Sequence, residues 1–532
     1  MTEIVSPTSL LATTQPQISE IEMENFIERI PNTALEQRRP VQTNRGTIVV
    51  DVNGYGDFAK IEDAITYITG AGLNESVKVL VRKGTYYPNA SISIPSNVIL
   101  EGEGTGNTII DFNATARKIN LSGTLKTVAG GVSITEGTST VTGASTSFTS
   151  AAAGDSIMIR GRWYTIATIS TDTSLTISET FKESTASSEA HLIYTLNINS
   201  GLKNLTVKNA NISGALVDSA GTSFLTIENV VAEANANAGG SGFRIDAAFG
   251  TRLHLCQAFN NTNHGFVIGD AFYGELLNCI SFDNTVDGFS FTAATLNPKA
   301  TTFTNCIAKA NGSDGFSIGD VNASFIGCIS QENDAHGFND FGFGSIYMGC
   351  LSTDNDGDGW RIPGGDGAIL LVGCRAEDNG AWGINLSTSG NFVYCFATRA
   401  TGNTTGNFTG TSTSGTNILF ENIETGNVTC ANGANNNLAV EGLRFARITG
   451  PTAAFTISGF GNLLATQHVN GQLLTIYNTT TQDMTLTNNA TGEVGNRILT
   501  LTGADVTLTG VSVANFIYSE VDSIWILLGT QG

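Results

Sequence analysis

Asp270, Asp320 and Asp340 follow three similar stretches, HGFVIGD, DGFSIGD and HGFND. Paired carboxylates are what glycosidic cleavage requires: about 5 Å apart for a retaining mechanism, about 6.5–9.5 Å for an inverting one. If these stretches lie on successive coils of a stack with a rise of about 4.8 Å, Asp320 and Asp340 fall about 5 Å apart, and Asp270 and Asp320 about 10 Å. Asp340 takes the place of the apolar Ile268 and Ile318. Its carboxyl is therefore either partly buried with a raised pKa, suited to acid catalysis, or pushed outward by a bulge at Gly342 and Gly344.

Two other polar sets bear on chemistry. His264, Asp287, Asp314, His336 and Asp358 each precede a repeated Gly, and such a column either holds a cation or moves a proton, or is a solvated turn face. DNDGDG at 354–359 imitates the start of a calcium loop, but the twelfth position is Gly365 instead of Glu. Neither set predicts a metal site, and no cofactor is expected. Trp382 and Trp163 are the candidate surfaces for stacking a sugar, whereas Trp360 falls in an inward aromatic column.

The elements that position these residues follow from a repeat. Cys256, Cys279, Cys306, Cys328, Cys350, Cys374 and Cys395 recur at intervals of 23, 27, 22, 22, 24 and 21 residues. The first six are followed five residues later by Asn261, Asn284, Asn311, Asn333, Asn355 and Asn379, and four further on by Gly265, Gly288, Gly315, Gly337, Gly359 and Gly383. One Cys, one Asn and one Gly per 22 to 27 residues define a solenoid whose coils stack like on like. Leucine-rich repeats of that length need several Leu per unit, which are absent. The short alternating runs after each Gly predict a right-handed parallel β-helix, with the cysteines stacked inside as reduced hydrophobes and the asparagines bonded amide to amide.

Composition agrees. Gly numbers 61 and charged residues 14%, which excludes a helical protein, while 41% hydrophobic residues exclude disorder. The net charge of −21 argues against nucleic acid as a partner. No apolar run reaches the ~18 residues of a membrane span, and the first residues, MTEIVSPTSLL, lack the pattern of a secretory signal.

The all-β chain divides into five parts. Residues 1–46 form a leader, with a capping box at Ser19 and Glu22 and an apolar helical face of Met23, Phe26, Ile27 and Ile30, which either docks or caps the solenoid. Residues 47–127 make the cap and first coils, 128–195 a small inserted β-barrel, 196–448 the main β-helix, and 449–532 a C-terminal β-sandwich.

DVNGYGDFAKIEDAI, VRKGTYYP and VILEGEGTGNTII resemble the opening coils of pectinesterases and other pectate-lyase-like proteins. DFGFG at 340–344 resembles the pectinesterase DFIFG, which implies a nucleophile at Asp340 and an acid/base at Asp320. No Gln of a QDTL motif precedes Asp320, however, and LGRPW is missing, so the oxyanion donor and positioning Arg of an esterase are absent. The insert and the terminal β-domain resemble those of bacteriophage tail proteins, and the order of parts is similar to that of a phage tail spike. That resemblance implies a homotrimer in the virion, joined to tail or baseplate by its leader, that binds and depolymerises a host surface polysaccharide. A non-catalytic receptor-binding fibre and a free carbohydrate-active enzyme are the alternatives.

Overall fold

The computed structural model describes residues 46–531 apart from 74, 127–128, 292–298, 320–321, 342–343, 364–367, 387–391, 411–418, 422–423, 441–442, 462–471, 489–496 and 520–521. The expected leader helix and Asp320 lie outside the described residues.

The chain builds a parallel β-solenoid of about sixteen turns. Two long sheets run the length of the stack, one of 22 strands and one of 13. In the first sheet each coil contributes two short strands, such as Arg252–His254 and Gln257–Phe259, with a bend between them; the second sheet takes one, such as Phe266–Ile268. Register is residue on residue from coil to coil: Phe266 pairs with Phe289, and Phe289 with Phe316. A helix, Ile61–Gly70, covers the first coils with Ile61, Ala64, Ile65 and Ile68 buried.

The repeat residues have distinct jobs. Asn261, Asn284, Asn311, Asn333, Asn355, Asn379 and Asn403 form a ladder, each Nδ2 donating to the next Oδ1 at 2.8–3.0 Å. The repeated Gly is set by crowding rather than by a left-handed backbone. A Cβ on Gly315 would lie 2.0 Å from Ser330 Oγ and 2.8 Å from the Gly337 carbonyl. Phe243, Phe266, Phe289, Phe316, Phe338 and Trp360 stack with centroids 4.7–4.8 Å apart, which matches the strand spacing, so ring packing and backbone ladder reinforce one another.

The cysteine column corrects one reading. Cys256 to Cys374 stack as buried free thiols, each donating to a carbonyl of the preceding coil, as Cys306 Sγ does to Leu276 O at 3.4 Å. Cys395 is not the seventh rung: it registers with Leu371, and Thr398 takes the column position, its Oγ1 donating to Leu371 O at 3.2 Å. The sequence marks the break, because the residue five past Cys395 is Ala400 where the other six have Asn.

The insert is an eight-stranded antiparallel sheet curled around its own core, which includes Phe148, Tyr164 and Phe181. Toward the C-terminus further sheets of six and four strands share a separate core from Val428 to Leu527. Their first strands still stack in parallel, Leu443–Thr449 on Glu424–Thr429 and Leu473–Asn478 on Leu443–Thr449, before Ser512–Ser519 and Ile524–Gln531 close the layer antiparallel. Coil length changes there from 20 residues between Val428 and Ile448 to 30 between Ile448 and Asn478, and no Cys–Asn–Gly marker survives to show the register.

Candidate functional site

The three carboxylate candidates part company in three dimensions. Asp340 registers with Ile318, is wholly buried, and accepts a hydrogen bond from the Tyr347 hydroxyl at 2.8 Å. Burial, followed by the Asp340 carboxylate, pushes the Tyr347 phenol far above its ordinary value. No bulge brings Asp340 to the outer face, so a polymer lying on the solenoid has no access to it. The pectinesterase-like nucleophile is thus a core residue here.

Trp163 and Trp382 are likewise less open than expected. Trp163 is half-buried, packs edge-on to Tyr194 at 5.9 Å and joins Leu192 and Phe249 around Met158, where the insert meets the solenoid. Trp382 occupies the next rung of the turn column, its ring over Gly406 and its backbone N–H donating to Asp358 Oδ1 at 2.9 Å.

That turn column is a ladder of acceptors. Asp314 N–H donates to Asp287 Oδ1 at 3.1 Å, His336 N–H to Asp314 Oδ1 at 3.0 Å and Asp358 N–H to His336 Nδ1 at 2.9 Å. The second oxygens are also engaged, Asp314 Oδ2 by Asn339 Nδ2 at 2.7 Å and Asp358 Oδ2 by Asn385 Nδ2 at 2.8 Å. Burial, the largest single influence, pushes the Asp287 carboxyl up, but His264, then the Ser313 hydroxyl and the Asp314 N–H, together outweigh it and hold the carboxyl below its usual range. Committed in this way, the column is structural. Asn355 likewise belongs to the ladder, and among the described residues no three His, Cys, Asp or Glu side chains converge on a metal position.

Asp270 has the company a site needs. It lies on the second sheet's margin near the insert, with its N–H donating to Asp246 Oδ1 at 3.1 Å. Asp246 stands two residues past Arg244 on Gly240–Phe249, a strand of ten residues in a region where both sheets use long strands. Arg244 faces outward and grips Asp218 of the preceding coil through Nε at 2.7 Å and Nη2 at 3.0 Å. Lys118 reaches the same carboxylate from the coil before that. Asp218 is therefore buried but doubly compensated.

Tyr194 comes to this group from the insert. Its ring lies against Gly221, where a Cβ would sit 2.0 Å from Tyr194 Cδ1. Burial and then the Asp246 carboxylate raise its pKa, while Arg244 opposes them, so the phenol keeps its proton at neutral pH. The junction thus gathers a protonated hydroxyl, carboxylates and a guanidinium, with Arg244 and Asp246 partly exposed and Asp218, Asp270 and Tyr194 largely buried beneath them. Such a set can donate to and accept from a polyhydroxylated ligand. Sequence reasoning missed Asp218, Arg244, Asp246 and Tyr194. The signal was faint: GALVDSAGTS and GSGFRIDAAF align only once the 26-residue register is known, and the Cys marker starts one coil later.

No family model matches the chain, and no curated protein matches it. Several solved structures are similar. The A-module of the mannuronan C-5 epimerase AlgE4 of Azotobacter vinelandii aligns over 80% of this chain and 95% of its own, at 16% identity and a TM-score of 0.42. The tailspike gp49 of Pseudomonas phage LKA1 aligns over 84% and 73%, at 14% identity and 0.43. The gp54 tailspike of Acinetobacter baumannii bacteriophage AP22, solved with a capsular saccharide, aligns over 81% and 79%, at 12% and 0.39.

Proposed function

We propose that the chain is a phage tail spike or related virion appendage that binds a host surface polysaccharide along the second sheet and the insert junction. One observation carries this reading. The repeated Asn, Cys, Asp and His side chains are paired from coil to coil, whereas the insert junction places the partly exposed Asp246 and Arg244 beside the largely buried Asp270 and Tyr194 on a long rigid surface. A rigid, ridged face suits an extended polymer, because the protein loses little freedom on binding it. The test is to mix the full-length protein with purified capsular polysaccharides and lipopolysaccharides, and to measure both retention and shortening. Binding without shortened products identifies a receptor-binding fibre. Shortened products identify a depolymerase, and Asp270→Asn then abolishes cleavage while leaving binding within about threefold. Retention of none of these polymers overturns the reading.

Assembly belongs to the same proposal. Ile280, Ile307, Ile329 and Leu351 form an outward column on the first sheet, half-exposed, beside the exposed Ile326 and Met348. A straight apolar stripe parallel to the stack fits copies of the same chain packed side by side, and three copies are expected. Light scattering should give three chain masses, falling to one in Ile329→Asp. The leader, residues 1–46, joins the virion, and its removal is expected to abolish incorporation while leaving polysaccharide binding unchanged. No helix among the described residues is long and apolar enough to cross a membrane.

A further inference from the structure

We propose that Phe224, Phe249 and Tyr273, with the Tyr194 hydroxyl and the Asp246 carboxylate beside them, form a saccharide subsite spanning two coils at the foot of the insert. The inference rests on the polysaccharide reading above and gives it a location.

The bend that follows Ile198, Ser223, Phe249 and Phe272 is filled on four successive coils by Asn199, Phe224, Gly250 and Tyr273, all left-handed, with φ of 52°, 57°, 63° and 53°. Asn and Gly are the residues that tolerate this conformation, and bulky aromatics are not. Nothing inside the solenoid requires rings there, since Phe224 and Tyr273 are each 58% exposed. They stand two coils apart, about 10 Å, which is the length of two sugar units in an extended chain. Between them Phe249 forms a floor, edge-on to Phe224 at 6.0 Å and to Tyr273 at 5.5 Å. Gly250 keeps the gap open, because a Cβ there would lie 3.1 Å from the Phe224 ring.

The polar half of the subsite is contiguous. Phe249, Trp163 and Leu192 each pack against Met158, and the Trp163 ring stands edge-on to Tyr194. Tyr194 is only 7% exposed, yet its hydroxyl makes no hydrogen bond among the described residues. Asp246 Oδ1 takes the N–H groups of Ala247 at 2.8 Å and Asp270 at 3.1 Å, which leaves Oδ2 for a ligand. Apolar faces edged by a donor and an acceptor match a pyranose, whose C–H face stacks on aromatic rings and whose rim carries hydroxyls.

The experiment uses the full chain and whichever purified capsular polysaccharide or O-chain the unsubstituted protein retains. Tyr273→Ala and Phe224→Ala should each weaken binding about tenfold, and Tyr194→Phe roughly fivefold. Tyr273→Trp should bind like the parent, and its added indole emission should change on addition of polysaccharide. Phe259→Ala, in the outward Phe259–Phe282 stack of the first sheet, should bind unchanged. If an alanine variant melts early, Tyr194→Phe and the Tyr273→Trp emission decide. Parent-like binding by all three weakening variants overturns the subsite and leaves the polysaccharide reading standing. Retention of no polymer by the parent removes both.

Discussion

Coils 251–405 and the coils just before them, 201–250, are built on the same two sheets but differ in how their polar groups repeat. In the later coils every repeated side chain has a partner one coil away: Asn on Asn, thiol on carbonyl, Asp or His on backbone N–H. In the earlier coils the repeat lapses, strands lengthen to ten residues, and the insert lies across the second sheet. Around this junction, among the described residues, the insert's Tyr194 hydroxyl makes no hydrogen bond, Asp246 Oδ2 accepts none, and Phe224, with Tyr273 two coils on, occupies a bend suited to Asn and Gly. Translational repetition satisfies groups, because each coil presents to the next what it received from the last. An interruption removes that partner and exposes chemistry.

The largest blow to this contrast should come from the middle of the ladder. Asn333→Ala deprives Asn311 N and Nδ2 of their acceptor, and Asn355 Oδ1, the Ala308 carbonyl and Ser330 Oγ of their donor or partner, all within the core. We expect a loss of about 3–5 kcal/mol in denaturant unfolding of the solenoid. A loss below about 1 kcal/mol would show that the ladder is ornament rather than support. At the junction, Asp218→Asn leaves Lys118 and Arg244 without their shared anion. Both cations are partly exposed, so water softens the cost to about 1–3 kcal/mol. Polysaccharide binding should fall further than stability does, because Arg244 is freed from its fixed geometry. Tyr347→Phe removes a donor from the buried Asp340 and should cost about 1–2 kcal/mol without changing binding, which separates the core carboxylate from the outer ones.

Acid should distinguish the insert from the solenoid interior. His191 is buried, neither ring nitrogen has a hydrogen-bond partner among the described residues, and burial lowers its pKa below the ordinary 6.5. The unfolded chain therefore binds a proton at a pH where the folded insert does not, so stability falls as pH drops below about 6.5 and is unaffected above it. His191→Leu should flatten that fall, as read by melting between pH 7.5 and 5. The smallest effect concerns the thiols. Burial pushes Cys430 up to about 11 and Cys395 higher still, so iodoacetamide at pH 8 should label neither until the chain is unfolded.

Much of the fold was legible before any coordinates. The 22-to-27 residue Cys–Asn–Gly register predicts a stacked parallel solenoid, because only like-on-like stacking makes buried Asn and close-packed Gly economical at a fixed interval. The helix at Ile61–Gly70 shows its buried face as Ile61, Ala64, Ile65 and Ile68. The site was less legible. Asp270 is singled out by its place in the repeat, but the residues around it lie where the marker residues have not begun, and Tyr194 arrives from the insert. Asp340 takes the register position the repeat assigns it and is buried, whereas Cys395 was misread, because a motif states spacing along the chain and burial depends on which strand the residue registers with.

The sequence by itself therefore determined the architecture, the stacking period and the low charge of the coils, since these are properties of a repeat and a repeat is visible along one dimension. Only the tertiary structure decided that Asp340 and Asp270 are buried while Asp246 is partly exposed, that Tyr194 comes within electrostatic reach of Asp246, and that Phe224 and Tyr273 flank a notch at Gly250. Those relations join residues 23 to 52 positions apart through coil stacking and insert docking. Contacts of that kind are set by packing in space, not by the order of residues.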